Sequence, residues 1–453
     1  MFSRISTRSL SFALVFFIIS IANADANWPQ FRGPEARGVA EGANLPDTWS
    51  TTENIAWKTD IPGRGWSSPV VWGNRIFFTT VVSQGEVEAA KKGLYFGGNR
   101  DNAPDMVHMW KVYCLDLESG KVVWEKQVHE GKPVTPRHIK NSYASETPVV
   151  DAERIYAFFG NLGVWCFDHN GRELWKVPVE PKKTGNNWGT AASPALHDNA
   201  LYICNDNEEQ SYLVALDKKT GKEIWRVTRN EQTNWATPFV WVNEKRAEIV
   251  TPGSGQVRSY GLDGKELWSL TGMSSITIGT PYAAHGLLYI SSGYVMDKRR
   301  PVYAIKPGAS GDISLSDGQT ANEFVAWSQP LAAPYNPSTL VYGDRLYVLY
   351  DRSQLSCYNA KDGTPIYDRQ KLPGGGGFTT SPWAYNDKVF CLDEDGKTYV
   401  VKAGDTFEIL RENKLAEDDM GMATPAIVGD KLILRTAARV YCVAKGAKLS
   451  SAN

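Results

Sequence analysis

Short apolar runs separated by polar turns recur along most of this chain, and the clearest example spans residues 193–225. Its apolar runs at 201–204 and 212–216 flank a polar turn, and a tight turn at 217–221 leads into a last run that ends at Trp225. Runs of strand-forming residues bounded by Asn, Asp and Gly are typical of β-strands, and no helical period is present. The stretch therefore predicts four short antiparallel strands, which we call A to D.

The same pattern occurs eight times at a spacing of about 43 residues, interrupted by two insertions. Each copy begins with Ser or Thr followed by Pro, except for one degenerate Ser-Thr copy. The second residues of these pairs are Pro69, Pro148, Pro194, Pro238, Pro281, Thr339, Pro382 and Pro425. A four-strand unit of this length matches a propeller blade. The predicted fold class is all-β, an eight-bladed β-propeller of four-stranded antiparallel blades.

The pattern also predicts how the ring closes. The eighth copy ends near residue 443 without a fourth strand, whereas residues 54–60 look like a strand D that precedes the first copy. Trp57 lies ahead of Pro69 by nearly the spacing that separates Trp225 from the Pro of the next copy. We therefore expect the N-terminal strand to complete the last blade, because that pairing removes an exposed sheet edge.

Residues 1–24 have the pattern of a secretory signal peptide. A basic start and a short apolar core at 10–21 precede an Ala-Asn-Ala cleavage site at 22–24. Cleavage there or two residues later leaves Asp25 or Asn27 first, so we expect no lipid-anchor cysteine. The apolar core is too short to span a bilayer comfortably. These features predict an exported protein, periplasmic or extracellular, that does not span a membrane.

The remainder of the chain divides into three predicted segments. They are an extended N-terminal arm at 25–53, the propeller at 54–445 and a C-terminal tail at 446–453. The arm carries no strand pattern, and Trp28, Phe31 and Trp49 are expected to hold it against the ring. It is interpreted as structural rather than as part of a ligand site.

The two insertions are predicted to lie on opposite faces of the ring. Residues 83–108 fall between strands B and C of blade one, with one or two helical turns predicted at 86–92, and residues 308–322 follow strand C of blade five. The B–C and D–A connections of a propeller share one face, so the first insertion should overhang the mouth of the channel. The long basic D–A connection at 129–143 should lie beside it.

Charge and cysteine usage exclude some classes of protein. The formal net charge is −1, and no basic stripe is present, so a nucleic-acid partner is not expected.

Four of the six cysteines occupy one repeat position on strand C, where other copies carry Ala or Gly, which indicates a small buried slot. Equivalent slots in different blades are too far apart to bridge, so we predict buried free thiols.

Aromatic residues collect just before strand A in six of the eight copies. They are Trp66, Tyr143, Trp188, Trp235, Tyr335 and Phe378, with Arg64, Asn186, Asn187, Asn234 and Asn336 beside them. Flat amphipathic rings at a channel entrance suit sugars, quinones or peptide side chains, although they also serve simply to pack the funnel. The candidate ligand or partner site is therefore Arg64, Trp66, Tyr143, Trp188, Trp235, Tyr335, Asn336 and Phe378.

Metal and haem signals are weak. The six histidines are scattered without paired-ligand spacing, and no Cys-x-x-Cys-His motif is present. The acidic run at 393–396 lacks the alternate spacing of a calcium loop and fits a B–C hairpin turn better. We predict no metal site and no catalytic residues.

One repeat carries a family signature. Ala215, Asp217, Thr220, Gly221 and Trp225 form an Ala-x-Asp-x-x-Thr-Gly-x-x-x-Trp pattern that resembles the PQQ-like, or quinoprotein alcohol dehydrogenase-like, β-propeller repeats. The segment 27–34 is similar to the N-terminal signature of secreted bacterial proteins with PQQ-like repeats. The resemblance implies that one tryptophan per blade docks neighbouring blades. Those tryptophans are Trp57, Trp124, Trp175, Trp225, Trp268 and Trp327.

The resemblance implies three classes of function. The favoured one is a non-catalytic, BamB-like binding or assembly scaffold in the cell envelope, expected to be monomeric, with an envelope protein or a carbohydrate as its ligand. The second is a PQQ-dependent alcohol or sugar dehydrogenase. Its alcohol dehydrogenases hold the quinone between a Trp and an adjacent Cys-Cys disulfide, with calcium, and no two cysteines are adjacent here. We therefore expect no PQQ cofactor. The third is a carbohydrate-binding or carbohydrate-cleaving propeller.

Overall fold

A computed structural model of the chain describes residues 27–41, 44–95, 97–374, 376–415 and 419–449. The predicted signal peptide lies outside these residues and stays a prediction. Every blade-length copy of the pattern forms one antiparallel sheet, so the eight-bladed propeller is confirmed. Within the described residues, no helix is long and apolar enough to cross a membrane.

The strands are numbered along the chain, and each blade contributes strands A to D from the channel outward. The N-terminal strand is β1 (Glu53–Asp60). Blade one holds β2 (Val70–Trp72), β3 (Arg75–Ser83), β4 (His108–Asp116) and β5 (Val122–Gly131). Blade two holds β6 (Val149–Val150), β7 (Arg154–Phe159), β8 (Gly163–Asp168) and β9 (Glu173–Pro178). Blade three holds β10 (Ala195–His197), β11 (Ala200–Asn205), β12 (Ser211–Asp217) and β13 (Glu223–Arg229). Blade four holds β14 (Phe239–Val242), β15 (Ala247–Pro252), β16 (Gln256–Gly261) and β17 (Glu266–Thr271).

The second half of the ring repeats this order. Blade five holds β18 (Tyr282–Ala284), β19 (Leu287–Ser291), β20 (Val302–Ile305) and β22 (Val325–Gln329), with β21 (Gly311–Asp312) in its insertion. Blade six holds β23 (Leu340–Tyr342), β24 (Arg345–Tyr350), β25 (Gln354–Asn359) and β26 (Pro365–Lys371). Blade seven holds β27 (Trp383–Tyr385), β28 (Lys388–Leu392), β29 (Lys397–Lys402) and β30 (Ile409–Lys414). Blade eight holds β31 (Ala426–Val428), β32 (Lys431–Arg435) and β33 (Arg439–Lys448). Among the residues that the structure describes, short 3-10 turns occur at Pro34–Ala36 and Gly185–Asn187.

The ring closes through β1, as the sequence predicts. Strand β1 pairs antiparallel with β33, with Trp57 opposite Cys442 and Thr59 opposite Val440. The sheet order is β1-β33-β32-β31, so the N-terminal strand is the outer strand of blade eight. The side chain of Ile55 on β1 is fully buried in that blade's core. Strand β33 continues to Lys448, a few residues past the predicted end of the propeller.

The hydrophobic core is divided among the spaces between neighbouring blades. One cluster joins the inner faces of blades one and two, another joins blades two and three, and a third joins blades three and four. One larger cluster joins blades four, five and six. Another joins blades seven, eight and one. All six cysteines are buried free thiols, as predicted. Each blade is therefore stabilised by its two neighbours rather than by one central core.

Five of the six predicted docking tryptophans bridge to the next blade in the same way. Each indole N–H donates to a backbone carbonyl in the neighbouring C–D turn, and the ring lies against the glycine of that turn. The donor–acceptor pairs are Trp57 to Leu117, Trp124 to His169, Trp175 to Lys218, Trp225 to Leu262 and Trp327 to Ala360, with N···O distances of 2.9–3.1 Å. These contacts confirm the docking role that the family resemblance implies.

Trp268 departs from this pattern. Its indole N–H donates to Glu248 Oε2 of its own blade at 2.7 Å. The next blade offers no C–D turn to receive it, because the insertion at 308–322 replaces that turn. Strand β21 of the insertion instead pairs parallel to β17, with Gly311 opposite Trp268, and adds a fifth strand to blade four. The sequence did not indicate this added strand.

The N-terminal arm lies against the inner strands, on the face of the ring opposite the D–A connections. Trp28 and Val71 of blade one exchange backbone hydrogen bonds, both of 2.8 Å, and Val150 of blade two donates to the carbonyl of Pro29. Arg32 is fully buried, donates to the carbonyl of Thr339 of blade six at 2.7 Å and lies 5.0 Å from the ring centroid of Tyr282. The arm thus spans the channel instead of lying only on its rim.

The helical turns predicted at 86–92 are wrong. Residues 86–92 contain no helix, and the first insertion runs as an irregular chain across the mouth of the channel. Its backbone is held by contacts with other blades, such as Gly93 N–H to Glu394 Oε2 at 2.8 Å. Tertiary contacts have therefore overridden the local helix propensity of this segment.

Replacing Ile55 with Ala should destabilise the ring. The side chain is fully buried on the closing strand, so we expect the free energy of unfolding to fall by about 2–5 kcal/mol. Lys58→Ala, at an exposed position of the same strand, should change it by no more than about 0.5 kcal/mol. Denaturant titration of both variants provides the measurement. Equal losses would contradict a closing role for β1.

Replacing Gly221 with Ala tests the docking contact. Gly221 has φ 73°, and an added Cβ would lie 2.7 Å from an atom of the Trp175 ring. Gly343 has φ 55° with no heavy atom within 4 Å of a Cβ, so Gly343→Ala carries only the backbone cost, about 1–2 kcal/mol. We expect Gly221→Ala to lose clearly more stability than Gly343→Ala in thermal and denaturant unfolding. If the two losses match, the tryptophan–glycine contact does not restrict this turn.

Candidate functional site

The face that carries the D–A and B–C connections opens into a cavity of about 330 Å³. We call this face the mouth face and the space the mouth cavity. All eight D–A connections contribute to its wall, together with the first insertion and the B–C connections of blades five and six. The sequence predicted a funnel on this face, and the described residues form one there.

A ring of hydroxyl groups from the repeated Ser/Thr-Pro pairs forms the floor. Six pairs of neighbouring blades are linked in the same way. In each pair, the backbone N–H of one Ser or Thr donates to the side-chain hydroxyl oxygen of its counterpart in the next blade. The links run from Ser68 to Thr147, Thr147 to Ser193, Ser193 to Thr237, Thr280 to Ser338, Ser338 to Ser381 and Ser381 to Thr424, at 2.9–3.1 Å. We call this ring the hydroxyl belt.

Phe31 of the N-terminal arm completes the floor. Its ring lines the mouth cavity and also a second cavity, of about 190 Å³, on the opposite side. Phe31 therefore forms part of the partition between the two spaces, together with Thr237 and Thr280, which also line both. The sequence assigned Phe31 only to holding the arm, because nothing in its local pattern shows that the arm crosses the axis.

Five of the eight predicted site residues line the mouth cavity: Trp66, Trp188, Trp235, Tyr335 and Asn336. The rings of Trp188 and Trp235 lie 5.5 Å apart between centroids, and Tyr335 lies 5.2 Å from Tyr294. Asn336 donates its side-chain N–H to the buried carboxylate of Asp351. That carboxylate also accepts the backbone N–H groups of Tyr335 and Asn336, which fixes this connection.

The other three predicted site residues lie outside the cavity wall. Phe378 is only 1% exposed and packs between blades six and seven against Tyr399. Tyr143 turns outward and donates its hydroxyl to the carbonyl of Thr135 at 2.8 Å. Arg64 donates to the carbonyl of Glu88 and so supports the first insertion. These three positions therefore serve packing and loop support.

Sequence reasoning missed several residues of the wall. The first insertion contributes Leu94 and Tyr95, and the B–C connection of blade five contributes Tyr294, Val295 and Met296. Met296 is 62% exposed, which is unusual for a methionine. An apolar Tyr-Val-Met run inside a predicted loop was the available signal for the second group.

The buried carboxylate of Glu394 ties the first insertion across the mouth. It accepts hydrogen bonds from Gly93 N–H at 2.8 Å, from Thr379 Oγ1 at 2.6 Å and from Lys140 Nζ at 2.5 Å. An exposed pair between Lys92 and Asp395 adds a second contact. The first insertion, the D–A connection between blades one and two, the D–A connection between blades six and seven, and the B–C turn of blade seven therefore meet at one carboxylate.

The titratable groups of the wall are not arranged as a general acid–base pair. Burial, followed by the charge of Lys140, lowers the pKa of His138 to about 4, so its ring is neutral at pH 7. Its Nδ1 accepts the backbone N–H of Lys140 at 3.2 Å, so that nitrogen is not available to a ligand. Among the described lining residues none is Asp or Glu, and the cations are Lys140 and Arg352.

The acidic run at 393–396 lies in the B–C turn of blade seven, as predicted. Asp393 Oδ1 accepts the backbone N–H groups of Asp395 and Lys397, which is typical of a tight turn. Burial is the main cause that raises the pKa of Asp393 to about 6. Over the described part of the chain, no group of three or more His, Cys, Asp or Glu side chains is placed to hold a metal ion.

The repeats, their closure and the tryptophan docking define a PQQ-like β-propeller. The family model described as "Outer membrane protein assembly factor BamB" matches residues 48–212, 160–300 and 309–449, so the chain belongs to this family. The chain is 24% identical over 243 residues to the outer membrane protein assembly factor BamB of Nitrosomonas eutropha, covering 43% of this chain and 54% of the relative. It is 28% identical over 179 residues to that of Alkalilimnicola ehrlichii, covering 39% and 36%. The chain thus spans about half or less of the curated relatives that it matches.

Solved structures share the fold at low sequence identity. A europium-containing methanol dehydrogenase superposes with a TM-score of 0.64 at 10% identity, covering 94% of this chain and 99% of that one. The quinohemoprotein alcohol dehydrogenase from Comamonas testosteroni gives 0.58 at 12% identity, covering 96% and 83%. At such identity the likeness concerns the fold alone.

The lining of the mouth cavity does not fit a calcium-bound quinone. Calcium takes oxygen ligands and prefers carboxylates, and the described lining contains none. All six cysteines are buried within strands B and C, so none faces the cavity to form a platform for a flat cofactor. The described residues that line the mouth cavity are therefore not suited to bind PQQ.

Titration with PQQ and calcium should give no tight complex. We expect no saturable change in the cofactor spectrum at micromolar concentrations and no reduction of a dye with methanol, ethanol or glucose. A quinoprotein dehydrogenase reconstituted in parallel is the positive control. Submicromolar binding with dye reduction would contradict this expectation and favour the dehydrogenase class.

Proposed function

We propose that this chain is an exported, non-catalytic propeller that binds a partner protein at its mouth and acts as a binding or assembly scaffold in the cell envelope. The observation that carries the proposal is the mouth cavity, whose walls are aromatic and whose frame is fixed by all eight blades. Aromatic side chains in a desolvated pocket have the composition of a recognition hot spot.

Family membership supports the assembly role. The relatives named above are outer membrane protein assembly factors, and this chain carries the same repeated propeller. A scaffold of this kind needs a rigid frame and variable connections, which is how the mouth face is built. The predicted signal peptide and the burial of all six thiols are consistent with an oxidising, exported location.

The non-catalytic part of the proposal is supported by the hydrogen bonding of the wall. His138 has its acceptor nitrogen occupied by a backbone N–H, and Lys140 is paired with a buried carboxylate. A general base must reach the proton that it removes, and neither side chain is free to do so.

A carbohydrate ligand is the second candidate. Exposed indole faces stack on sugar rings, and Trp188 is only half buried at the mouth. A glycan array on the same protein preparation distinguishes this candidate from a protein partner.

Replacing both Trp188 and Trp235 with Ala should abolish partner binding. Each ring contributes to the wall of the mouth cavity, and loss of hot-spot aromatics costs about 2 kcal/mol or more of binding energy. The partner is first captured from an envelope extract with the immobilised protein, identified and purified. Its affinity for each variant is then measured by calorimetry.

Trp72→Ala is the matched control. Trp72 is also half buried, but it lies on β2 at the end toward the opposite face. Its removal should leave partner binding unchanged. If binding survives the double substitution but is lost when residues 308–322 are removed, the functional face is the one opposite the mouth face. The melting temperature of the double variant and of Trp72→Ala is measured as well. A decrease that both share measures the general cost of removing a tryptophan.

A further inference from the structure

The three indoles of the mouth cavity present only their ring faces to a ligand. Trp66 Nε1 donates to the carbonyl of Lys140 at 2.8 Å, Trp188 Nε1 to Asn99 Oδ1 at 2.7 Å and Trp235 Nε1 to the carbonyl of Gly189 at 2.7 Å. Every indole N–H is thus already satisfied within the protein. A ligand therefore meets π-faces and aliphatic side chains here, which favours an apolar group over one that needs many hydrogen bonds.

The hydroxyl groups of the floor are engaged as acceptors, and each keeps its own O–H donor. Six hydroxyl oxygens of the belt accept backbone N–H groups, and Phe31 covers the axis with an apolar ring. A volume of about 330 Å³ is at the small end of the range of pockets that take a ligand. The cavity therefore has room for one or two side chains, not for a secondary-structure element.

The rim carries a positive side chain that is not paired with a carboxylate of the described residues. Arg352, in the B–C turn of blade six, is exposed at the cavity and makes no hydrogen bond or ion pair with the residues that the structure describes. Lys140 is neutralised by Glu394, and His138 is uncharged at pH 7. Since no described lining residue is acidic and Lys140 is paired, Arg352 is the unpaired positive charge that a ligand meets at the wall of this cavity.

We propose that the mouth cavity takes one large aromatic side chain from an acidic segment of the partner protein, with a carboxylate of that segment paired to Arg352. This inference rests on the proposed function and names the chemistry of its partner. The aromatic ring packs on Trp188 and Trp235 above Phe31. The carboxylates beside this aromatic residue speed the encounter of the partner with the mouth face. The positive charge of Arg352 disfavours basic segments.

Short fluorescein-labelled peptides test the charge and the ring separately. The probes are Gly-Asp-Asp-Trp-Asp-Asp-Gly, its Lys-for-Asp counterpart and its Ala-for-Trp counterpart, with binding followed by fluorescence anisotropy at low and high salt. We expect saturable binding only of the acidic Trp peptide, weakened by salt. Arg352→Glu should weaken it about tenfold or more.

Lys371→Glu is the matched control, since it makes the same charge change at an exposed position of β26 on the outer edge of the same blade. It should leave the affinity unchanged. Equal binding of the acidic and basic peptides, or no effect of Arg352→Glu, would overturn the inference. Absence of saturable binding at millimolar peptide would overturn it as well, and uptake of a neutral oligosaccharide instead would assign the cavity to a sugar.

The variants separate this inference from the proposed function. If Trp188→Ala with Trp235→Ala abolishes binding of the purified partner while Arg352→Glu does not, the mouth remains the binding site and only the charge assignment fails. If neither variant affects the partner, the proposed function fails with it.

Discussion

The hydroxyl belt is the interaction on which the rest of the ring depends. In six of the eight blades, the Ser or Thr at the start of strand A accepts a backbone N–H from its counterpart in the preceding blade, so these neighbouring inner strands are held at one height around the axis. One neutral hydrogen bond contributes only about 1 kcal/mol, but a buried N–H without a partner costs about 1–3 kcal/mol, so the belt is strongly favoured over its absence. The proline that follows has no N–H to satisfy and starts the strand at a fixed φ. With the inner strands fixed in this way, all eight D–A connections converge at one opening.

The outer part of the ring depends on a second, unlike contact. An indole on strand D reaches over the C–D turn of the next blade, and only a glycine with positive φ leaves room for it, as at Gly221 beneath Trp175. Because each such contact joins only two neighbours, the stability of the ring is close to a sum of local terms. The exception at Trp268 supports this reading. Where the insertion removes the next turn, the blade compensates locally, through Glu248 and a short added strand.

This division explains how much could be predicted from the sequence. The blades and the closing strand were predictable, because each follows a local pattern that repeats and sets the direction of its side chains. The docking role of the tryptophans came from the family resemblance, and it fails at Trp268, where an insertion removes the neighbouring turn. The candidate site was predictable only in part. The six aromatics lie in D–A connections of differing length, which have no period, so their directions depend on tertiary contacts. Trp235 therefore faces the cavity, whereas Phe378 turns into the core and Tyr143 turns outward. Phe31 was missed for a related reason, since only the folded arm brings it to the axis.

Buried arginines give the mouth its charge as a consequence of the same architecture. Arg435 at the mouth end of β32 bonds to the carbonyls of Ser67 and Thr79, and Arg137 bonds to the carbonyl of Asn141. Burial lowers the pKa of Arg435 to about 9 and that of Arg137 to about 10, so both remain charged at pH 7. Carbonyl dipoles stabilise these guanidinium groups without cancelling their charge, in contrast to the carboxylate that neutralises Lys140. Arg352 differs from these two arginines, because it makes no hydrogen bond or ion pair with the described residues and is exposed where a ligand can meet its charge.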